Sequence, residues 1–221
     1  MFNSRRHYAG NMRITKFGHA CVRLETDGHV LVVDPGAFSE PEAVDGATAV
    51  LITHEHADHY SADNLRLTDA PIHTIAAVAE QIRKDAPDVF ERVQVVAPGG
   101  QFDPGVPTTA IGEQHAIIHA DIPRLDNSGY LFEIEGTTIF HPGDALTLPG
   151  RDVDLLLLPV SAPWLKIGEC IDFARGVGAP RSLAIHDKIY SDLGLGFAAK
   201  LLDGLLGDDQ EYVRIEPGQD L

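Results

Sequence analysis

Four side chains of types that commonly bind metals lie close together in the stretch THEHADH, residues 53–59. The apolar run AVLI precedes this stretch, which places it at the end of a buried strand. Residues two apart on an extended strand face the same side, so the first two histidines can converge on one point. The third histidine returns to that side only if the chain turns after the strand. The following residues, YSADNL, can begin a helix with Ser61 as its cap. The motif therefore predicts two neighbouring metal ions, held by His54, His56, Asp58 and His59.

The alternative interpretation of the motif is a solvated, histidine-rich loop. Four such residues arise by chance in this order in about one chain in a thousand of this composition, which disfavours that alternative.

Length and charge exclude several classes of protein. A chain of 221 residues fits one domain, because a single hydrophobic core keeps growing to about 250 residues. The 17 basic and 33 acidic residues give a net charge of −16, which disfavours nucleic acid as a partner. Cys21 and Cys170 are too few for a disulfide framework, and we expect them to behave as small apolar residues, although one disulfide remains open.

Targeting signals and domain bounds follow from the distribution of apolar residues. No apolar run approaches the roughly 18 residues of a membrane span, and the first residues lack the apolar core of a signal peptide. We therefore expect no membrane association and a cytoplasmic location. The apolar pattern begins at Met12, which predicts a loose extension over residues 1–11 and a single domain over residues 12–221.

Apolar runs alternate with glycine and proline along the whole chain. The short apolar runs between these turn residues are predicted to be strands, including one over residues 106–115 that ends at His115. Helical spacing predicts helices within residues 74–87, 167–178 and 192–206. This order of elements predicts an α/β sandwich, in which helices cover two packed sheets.

The motif resembles the His-x-His-x-Asp-His signature of the metallo-β-lactamase superfamily, and the resemblance extends over about residues 12 to 216. It implies a four-layer αββα sandwich and a series of further site residues, each placed after an apolar run. Those residues occur here in the expected order, in LVVDPG, TAIGEQH, TIFHPGD and LAIHD: Asp34, His115, Asp144 and His186.

The same resemblance implies a division of ligands between two metals. The first would take His54, His56 and His115, the second would take Asp58, His59 and His186, and Asp144 would bridge them. Asp34 would be a buried structural aspartate near the site. His119 competes with His115 for the third histidine position; His115 is preferred because the family's third histidine ends a strand, and His119 would then line the pocket.

Several other residues have two open interpretations. His141 is expected beside the site or in the core, and Trp164 either walls the pocket or packs in the core. Lys188 and Arg124 could meet an anionic substrate or be solvated charges. His19 could face the pocket rim, but simple packing is preferred. Outside any motif, three histidines are expected at the surface or at a sheet edge: His7, His29 and His73.

The resemblance implies hydrolysis of a small ester, lactone or phosphodiester by a metal-bound hydroxide, with Asp58 as the catalytic residue that handles its proton. Zinc is the expected metal, with manganese or iron as alternatives. The order of motifs looks closest to the ascorbate-phosphate lactonase-like subgroup. Two other classes stay open: an oxidoreductase acting on thiols or oxygen, disfavoured by the lack of a flavin module, and a metal-binding protein without activity. Oligomeric state is not predicted.

Overall fold

The computed structural model describes residues 11–221. The predicted N-terminal extension, apart from Asn11, lies outside the described residues, as does His7. Helices are α1 (Ala62–Arg66), α2 (Ala76–Asp85), α3 (Ile167–Val177) and α4 (Asp192–Leu205), with 3₁₀ turns at Pro41–Val44 and Pro87–Arg92. Strands are β1 (Arg13–Lys16), β2 (Val22–Thr26), β3 (His29–Val33), β4 (Ala49–Ile52), β5 (Ile72–Thr74), β6 (Val93–Val95), β7 (Gln101–Phe102), β8 (Thr108–Ile111), β9 (Gly129–Ile134), β10 (Thr137–His141), β11 (Leu155–Pro159), β12 (Arg181–Ile185), β13 (Glu211–Val213) and β14 (Gln219–Asp220).

The strands form two mixed sheets with the orders β14-β1-β2-β3-β4-β5-β6 and β13-β12-β11-β10-β9-β8-β7. Strands β3 to β6 are parallel to one another in the first sheet, and β10 to β13 are parallel in the second. The carboxyl ends of parallel strands share one edge of a sheet, where α/β folds commonly place their sites. Candidate site residues follow β3, β4, β10 and β12 at these edges.

Four layers result from the alternation of side chains along the buried strands. In β4, Leu51 packs between the two sheets, whereas Val50 and Ile52 pack on the outer face with α1 and α2. In β11, Leu157 faces the same inner layer, and Leu156 faces α3 and α4. Strands covered on both faces are apolar at every position, and the sequence shows this in AVLI and LLLL. The predicted αββα sandwich is confirmed.

The structure corrects two local predictions. The strand predicted over residues 106–115 ends at Ile111, because Gly112 follows in a left-handed conformation with φ 79°. His115 and His119 therefore lie on a loop rather than on a strand. His73 is buried on β5 and stacks on Phe102 with 5.3 Å between ring centroids, so the prediction of a surface or edge position is wrong.

Both cysteines are buried and unpaired, as expected of small apolar residues. Burial raises the pKa of the Cys170 thiol to about 12, which keeps it protonated. Within residues 11–221, none of the helices combines the length and apolar character needed to cross a bilayer.

Candidate metal centre

The motif HEHADH turns sharply after β4, as its sequence predicts. The backbone N–H groups of His59 and Tyr60 both donate to the carbonyl of His56, which folds the chain back on itself. Ser61 caps α1 by accepting the backbone N–H of Asn64, which confirms the predicted cap. The side-chain amide of Asn64 then donates to the carbonyls of Pro35 and Gly36, so the turn is fixed to the loop after β3.

Gly36 is required by this close approach of two loops. A Cβ atom at this position would lie 2.1 Å from the backbone of Asp58. Ala37 donates its backbone N–H to the carbonyl of Ala57 at 2.7 Å, which holds the loops together. Any side chain at position 36 would therefore displace Asp58 and the histidine next to it.

Two groups of potential ligand atoms form at the shared edge of the sheets, and within each group the atoms lie within 4.8 Å of one another. The first group contains His54, His56, His115 and Asp144. The second contains His19, Asp58, His59 and His186. The structure thus brings together all seven residues that the sequence proposed as ligands, and it adds His19.

Asp144 stands between the two groups. Its Oδ1 lies 3.1 Å from Nε2 of His59, and its Oδ2 lies 3.3 Å from Nε2 of both His115 and His186. A carboxylate that approaches histidines of both groups is suited to the bridging role that the resemblance implies.

The donor atoms fit divalent cations. Among the described residues, buried Nε2 atoms of His59, His115 and His186 and Oδ1 of Asp144 have no hydrogen-bond partner. Burying such atoms without a partner is costly, and their convergence on one place fits the coordination of a divalent cation. Imidazole nitrogens and carboxylate oxygens are donors that suit zinc and other divalent transition metals.

The other ring nitrogen of each histidine is anchored. His59 donates through Nδ1 to Oδ2 of Asp34 at 2.7 Å, and His115 donates through Nδ1 to the carbonyl of Ala116 at 2.6 Å. His186 donates through Nδ1 to the carbonyl of Ser161. With the proton held on Nδ1, the lone pair of each Nε2 points into the cluster, as a metal-binding histidine requires.

Protonation differs between the two groups. Burial, followed by the charge of His59, holds the pKa of His54 well below its usual range, and burial also lowers the pKa of His56. Burial disfavours the charged form of His186 too, but the carboxylates of Asp144 and Asp58 more than offset it and raise its pKa to about 9. Asp144 and Asp34 similarly raise the pKa of His59 against the effect of burial. Without metal, His59 and His186 of the second group are therefore favoured to carry protons, whereas His54 and His56 of the first group stay neutral.

Asp34 and His141 lie next to the cluster and brace it. Asp34 is fully buried and accepts the backbone N–H and the hydroxyl of Thr53 as well as Nδ1 of His59. His141 donates through Nε2 to the carbonyl of Ala20 at 2.9 Å and accepts the backbone N–H of Gly143 at Nδ1. Asp34 thus orients His59, and His141 supports the turn that carries Asp144.

Three residues proposed to line the pocket or to meet an anionic substrate have side chains that are exposed or already paired. The side chain of His119 is 63% exposed and accepts the backbone N–H of Asp121, so it belongs to a surface turn and not to the site. Lys188 donates to the carbonyl of Phe38 and pairs with Glu40 at 3.3 Å. Arg124 donates to the carbonyl of His115 and to the side chain of Gln114.

The sequence favours simple packing for His19 and leaves Trp164 open between the pocket wall and the core, yet both residues contact the cluster. Nε1 of Trp164 donates to Oδ2 of Asp144 at 2.9 Å, and its ring lies edge-on to His115. Nε2 of His19 lies 3.0 Å from Oδ2 of Asp58. Both residues lie in loops, where the spacing of apolar residues does not predict which way a side chain faces.

Three site residues have left-handed backbone conformations, which are unfavourable for residues other than glycine. The φ values are 62° at His19, 50° at Asp34 and 54° at His186. The backbone N–H of His186 donates to the carbonyl of His19 at 2.9 Å, which holds two of these residues together. Such local strain persists where the surroundings fix the chain, and it is concentrated at functional sites.

The amino-acid sequence matches a known protein family. Residues 13–186, which include every candidate ligand, match the model described as the beta-lactamase superfamily domain. The protein Rv0786c of Mycobacterium tuberculosis is 38% identical over 184 residues, covering 80% of this chain and 85% of that protein. The UPF0173 metal-dependent hydrolase ABC2731 of Shouchella clausii is 27% identical over 198 residues, covering 79% of this chain and 85% of the relative.

Fold similarity agrees with these matches. The solved structure of Igni18, a metallo hydrolase from Ignicoccus hospitalis, superposes with a TM-score of 0.73 at 18% identity. The superposition covers 95% of this chain and 97% of that one. At this identity the likeness concerns the fold alone.

Proposed function

The chain belongs to the beta-lactamase superfamily, in its metallo-β-lactamase branch, and on that basis we propose that it is a metal-dependent hydrolase of a small ester, lactone or phosphodiester. The observation that carries this proposal is the convergence of buried, unpartnered Nε2 atoms on Asp144 between two groups of ligand atoms. The name metal-dependent hydrolase borne by a relative supports the reaction class. The narrower resemblance to the ascorbate-phosphate lactonase-like subgroup stays a prediction.

The proposed cofactor is a pair of divalent cations, with zinc as the first choice and manganese or iron as alternatives. One would be held by His54, His56 and His115, the other by Asp58, His59 and His186, with Asp144 shared. Bound cations of this kind polarise the scissile group and lower the pKa of a water molecule to about 7. The proposed location of the protein is the cytoplasm.

The chain's own contribution is to orient the attacking water. The side chain of Asp58 is 19% exposed, whereas that of Asp144 is 3% exposed, so solvent and substrate reach Asp58 more easily. Oδ2 of Asp58 accepts a hydrogen bond from Nε2 of His19 and lies 3.3 Å from Nε2 of His186, which fixes the carboxylate within the second group. We assign Asp58 the task of accepting the proton of the attacking water.

The experiment that tests the proposal combines metal analysis with a substrate panel. The protein is stripped with a chelator, reloaded separately with zinc, manganese and iron, and assayed on ester, lactone and phosphodiester substrates. The proposal expects two metal equivalents per chain and hydrolysis that disappears on stripping and returns on reloading. Hydrolysis that survives complete metal removal would reject it.

The oxidoreductase alternative predicts a different result in the same samples. Iron-loaded protein would consume oxygen or oxidise thiols, while zinc-loaded protein would hydrolyse nothing in the panel. A protein that binds metal but does neither would be the non-catalytic alternative. The complete set of ligand atoms in both groups favours a catalyst, since a site without function tends to lose ligands.

A further inference from the structure

A cavity of about 200 Å³ adjoins the first group of ligands. Two of its walls are the candidate ligands His56 and His115, so a molecule in the cavity would lie directly beside the metal centre. The remaining walls come from one loop and are mostly apolar: Ala116, Ile117, Ile118, Ile122, Pro123, Arg124 and Leu125.

The loop exposes large apolar side chains around this cavity. Ile117 is 64% exposed and Ile122 is 49% exposed, although both are aliphatic. Exposed aliphatic side chains that cluster around a cavity next to a few polar groups are typical of ligand-binding surfaces.

Among the described residues that line the cavity, the only Lys or Arg side chain is already hydrogen-bonded, which disfavours a charged group within the cavity itself. Arg124 contributes to its wall, but its guanidinium is bonded within the loop, to the carbonyl of His115 and to Gln114, and so braces the loop. Lys188 is not part of the cavity wall and is paired with Glu40.

The geometry points to an apolar subsite that binds the hydrocarbon part of an uncharged ester or lactone, with the scissile carbonyl at the metals. This inference rests on the proposed function and deepens it, because it assigns the hydrocarbon part of the substrate to one wall of the site. A cavity of about 150 Å³ accepts benzene in another protein, so this one accommodates a phenyl group or about six carbons.

The test is the dependence of kcat/KM on chain length. Two series are assayed with metal-loaded protein: lactones from γ-butyrolactone through γ-octalactone to γ-decalactone, and p-nitrophenyl esters from acetate to decanoate. We expect kcat/KM to rise about fourfold per added methylene until the cavity is full, and then to level off. Analogues of the same length that end in a carboxylate should lose this gain. Hydrolysis without dependence on length, or with a preference for the charged analogues, would overturn the subsite.

Two matched variants separate the cavity from the rest of the surface. Ile122→Asp should reduce the ratio of kcat/KM between long and short substrates, because it places a charge in the cavity wall. Leu193→Asp changes an equally apolar residue that is 71% exposed on α4, and it should leave that ratio unchanged. Equal effects of both variants would reject the assignment. Loss of a dimer in Ile122→Asp, seen by light scattering, would instead make the loop an interface between two copies and would also overturn the subsite.

Binding without catalysis distinguishes failure of the subsite from failure of the proposed function. Trp164 is the only tryptophan of the chain and its ring centroid lies 5.7 Å from that of His115, so its fluorescence reports on this region. Octan-1-ol should change the fluorescence saturably, ethanol should not, and Ile122→Asp should weaken the octan-1-ol response. Octan-1-ol binding without cleavage of any substrate would keep the subsite and reject the hydrolase. Cleavage of substrates without octan-1-ol binding would keep the hydrolase and reject the subsite.

Discussion

His19 donates a hydrogen bond from Nε2 to Oδ2 of Asp58 across 3.0 Å. The backbone N–H of Lys188 approaches the other ring nitrogen of His19, Nδ1, at 3.3 Å and donates to it. A neutral imidazole carries one proton, and a donor at Nδ1 places that proton on Nε2. His59, His115 and His186 have the opposite arrangement, with Nδ1 as the donor. His19 therefore positions Asp58 and does not offer a lone pair to a metal.

We predict that His19→Ala lowers kcat by about 10- to 100-fold, the usual effect of losing a partner that orients a metal site, and leaves two metal equivalents in place. His19→Gln retains an N–H donor at a similar reach and should recover part of the lost activity. Metal content and kcat are measured on the same samples. Loss of one metal equivalent in His19→Ala would identify His19 as a ligand instead.

Trp164 restrains the shared carboxylate. Trp164→Phe retains an aromatic ring beside His115 but removes the N–H that donates to Asp144. We expect apparent metal affinity to fall by about 10- to 100-fold, measured by competition with a chromogenic chelator. The melting temperature of the metal-free variant should change little by comparison. Unchanged affinity would mean that Asp144 is held well enough by its backbone turn.

The two groups should bind metal with different pH dependence. His54 and His56 have lowered pKa values and are already neutral, whereas His186, with a pKa of about 9, must release a proton before it can bind. Affinity at the second group should therefore rise with pH between about 6 and 9, by about tenfold per unit for each proton released. Affinity at the first group should depend on pH less.

Calorimetric titration in two buffers with different ionisation enthalpies measures the protons released at each step. A larger release in the step that depends on pH would agree with the assignment. Identical release in both steps would contradict it.

The raised pKa of His186 also affects the stability of the metal-free protein. His186 has a higher pKa in the folded chain, about 9, than the usual value of 6.5, so its contribution to the free energy of unfolding is complete below pH 6.5. That contribution is lost as the pH rises through 9. We expect the melting temperature of the chelated protein to fall between pH 7 and pH 9, and that of His186→Gln to fall less.

His115 and His119 provide a matched pair of substitutions on one loop. His115 is buried with its Nε2 beside Asp144, whereas the side chain of His119 is 63% exposed. His115→Ala should remove about one metal equivalent per chain, and His119→Ala should leave metal content and kcat near those of the unchanged protein. Metal loss in His119→Ala alone would reverse the assignment.

Sequence patterns predicted those parts of the site that depend on local structure. The buried strand β4 is apolar at every position, so its end, and with it His54 and His56, could be located from the sequence. Ser61 could be identified as a cap because capping depends on residues three apart. The resemblance then supplied His115, Asp144 and His186 by their order.

Contacts between distant segments left no such signal. Trp164 meets Asp144, His19 meets Asp58, and the buried Lys16 pairs with Asp187 at 3.1 Å, each across the two sheets or between separate loops. Periodicity describes one element at a time and cannot report which loops meet. The strand wrongly extended to His115 has a local cause, because the left-handed backbone at Gly112 ends β8 at Ile111.

Asp58 is the residue on which the proposed chemistry depends most directly. Asp58→Asn keeps the size of the side chain and one oxygen, so it should retain more metal than Asp58→Ala. Both variants lose the carboxylate that accepts the proton of the attacking water, a role commonly worth about 10²- to 10⁴-fold in rate. We therefore expect poor kcat in both, and weakened binding at the second group in Asp58→Ala.

Metal stoichiometry and kcat, measured at saturating metal, separate the two roles of Asp58. If Asp58→Asn binds both metals and is poorly active, the residue handles the proton of the attacking water in addition to binding metal. If the same variant binds both metals with nearly unchanged kcat, Asp58 is a ligand only. Asp144→Asn is the control, because its carboxylate approaches histidines of both groups and is 3% exposed; it should weaken both metals at once. Nearly unchanged kcat in Asp58→Ala would reject the proposal that the motif serves two metals, since that change removes the one anionic ligand which the second group does not share with the first.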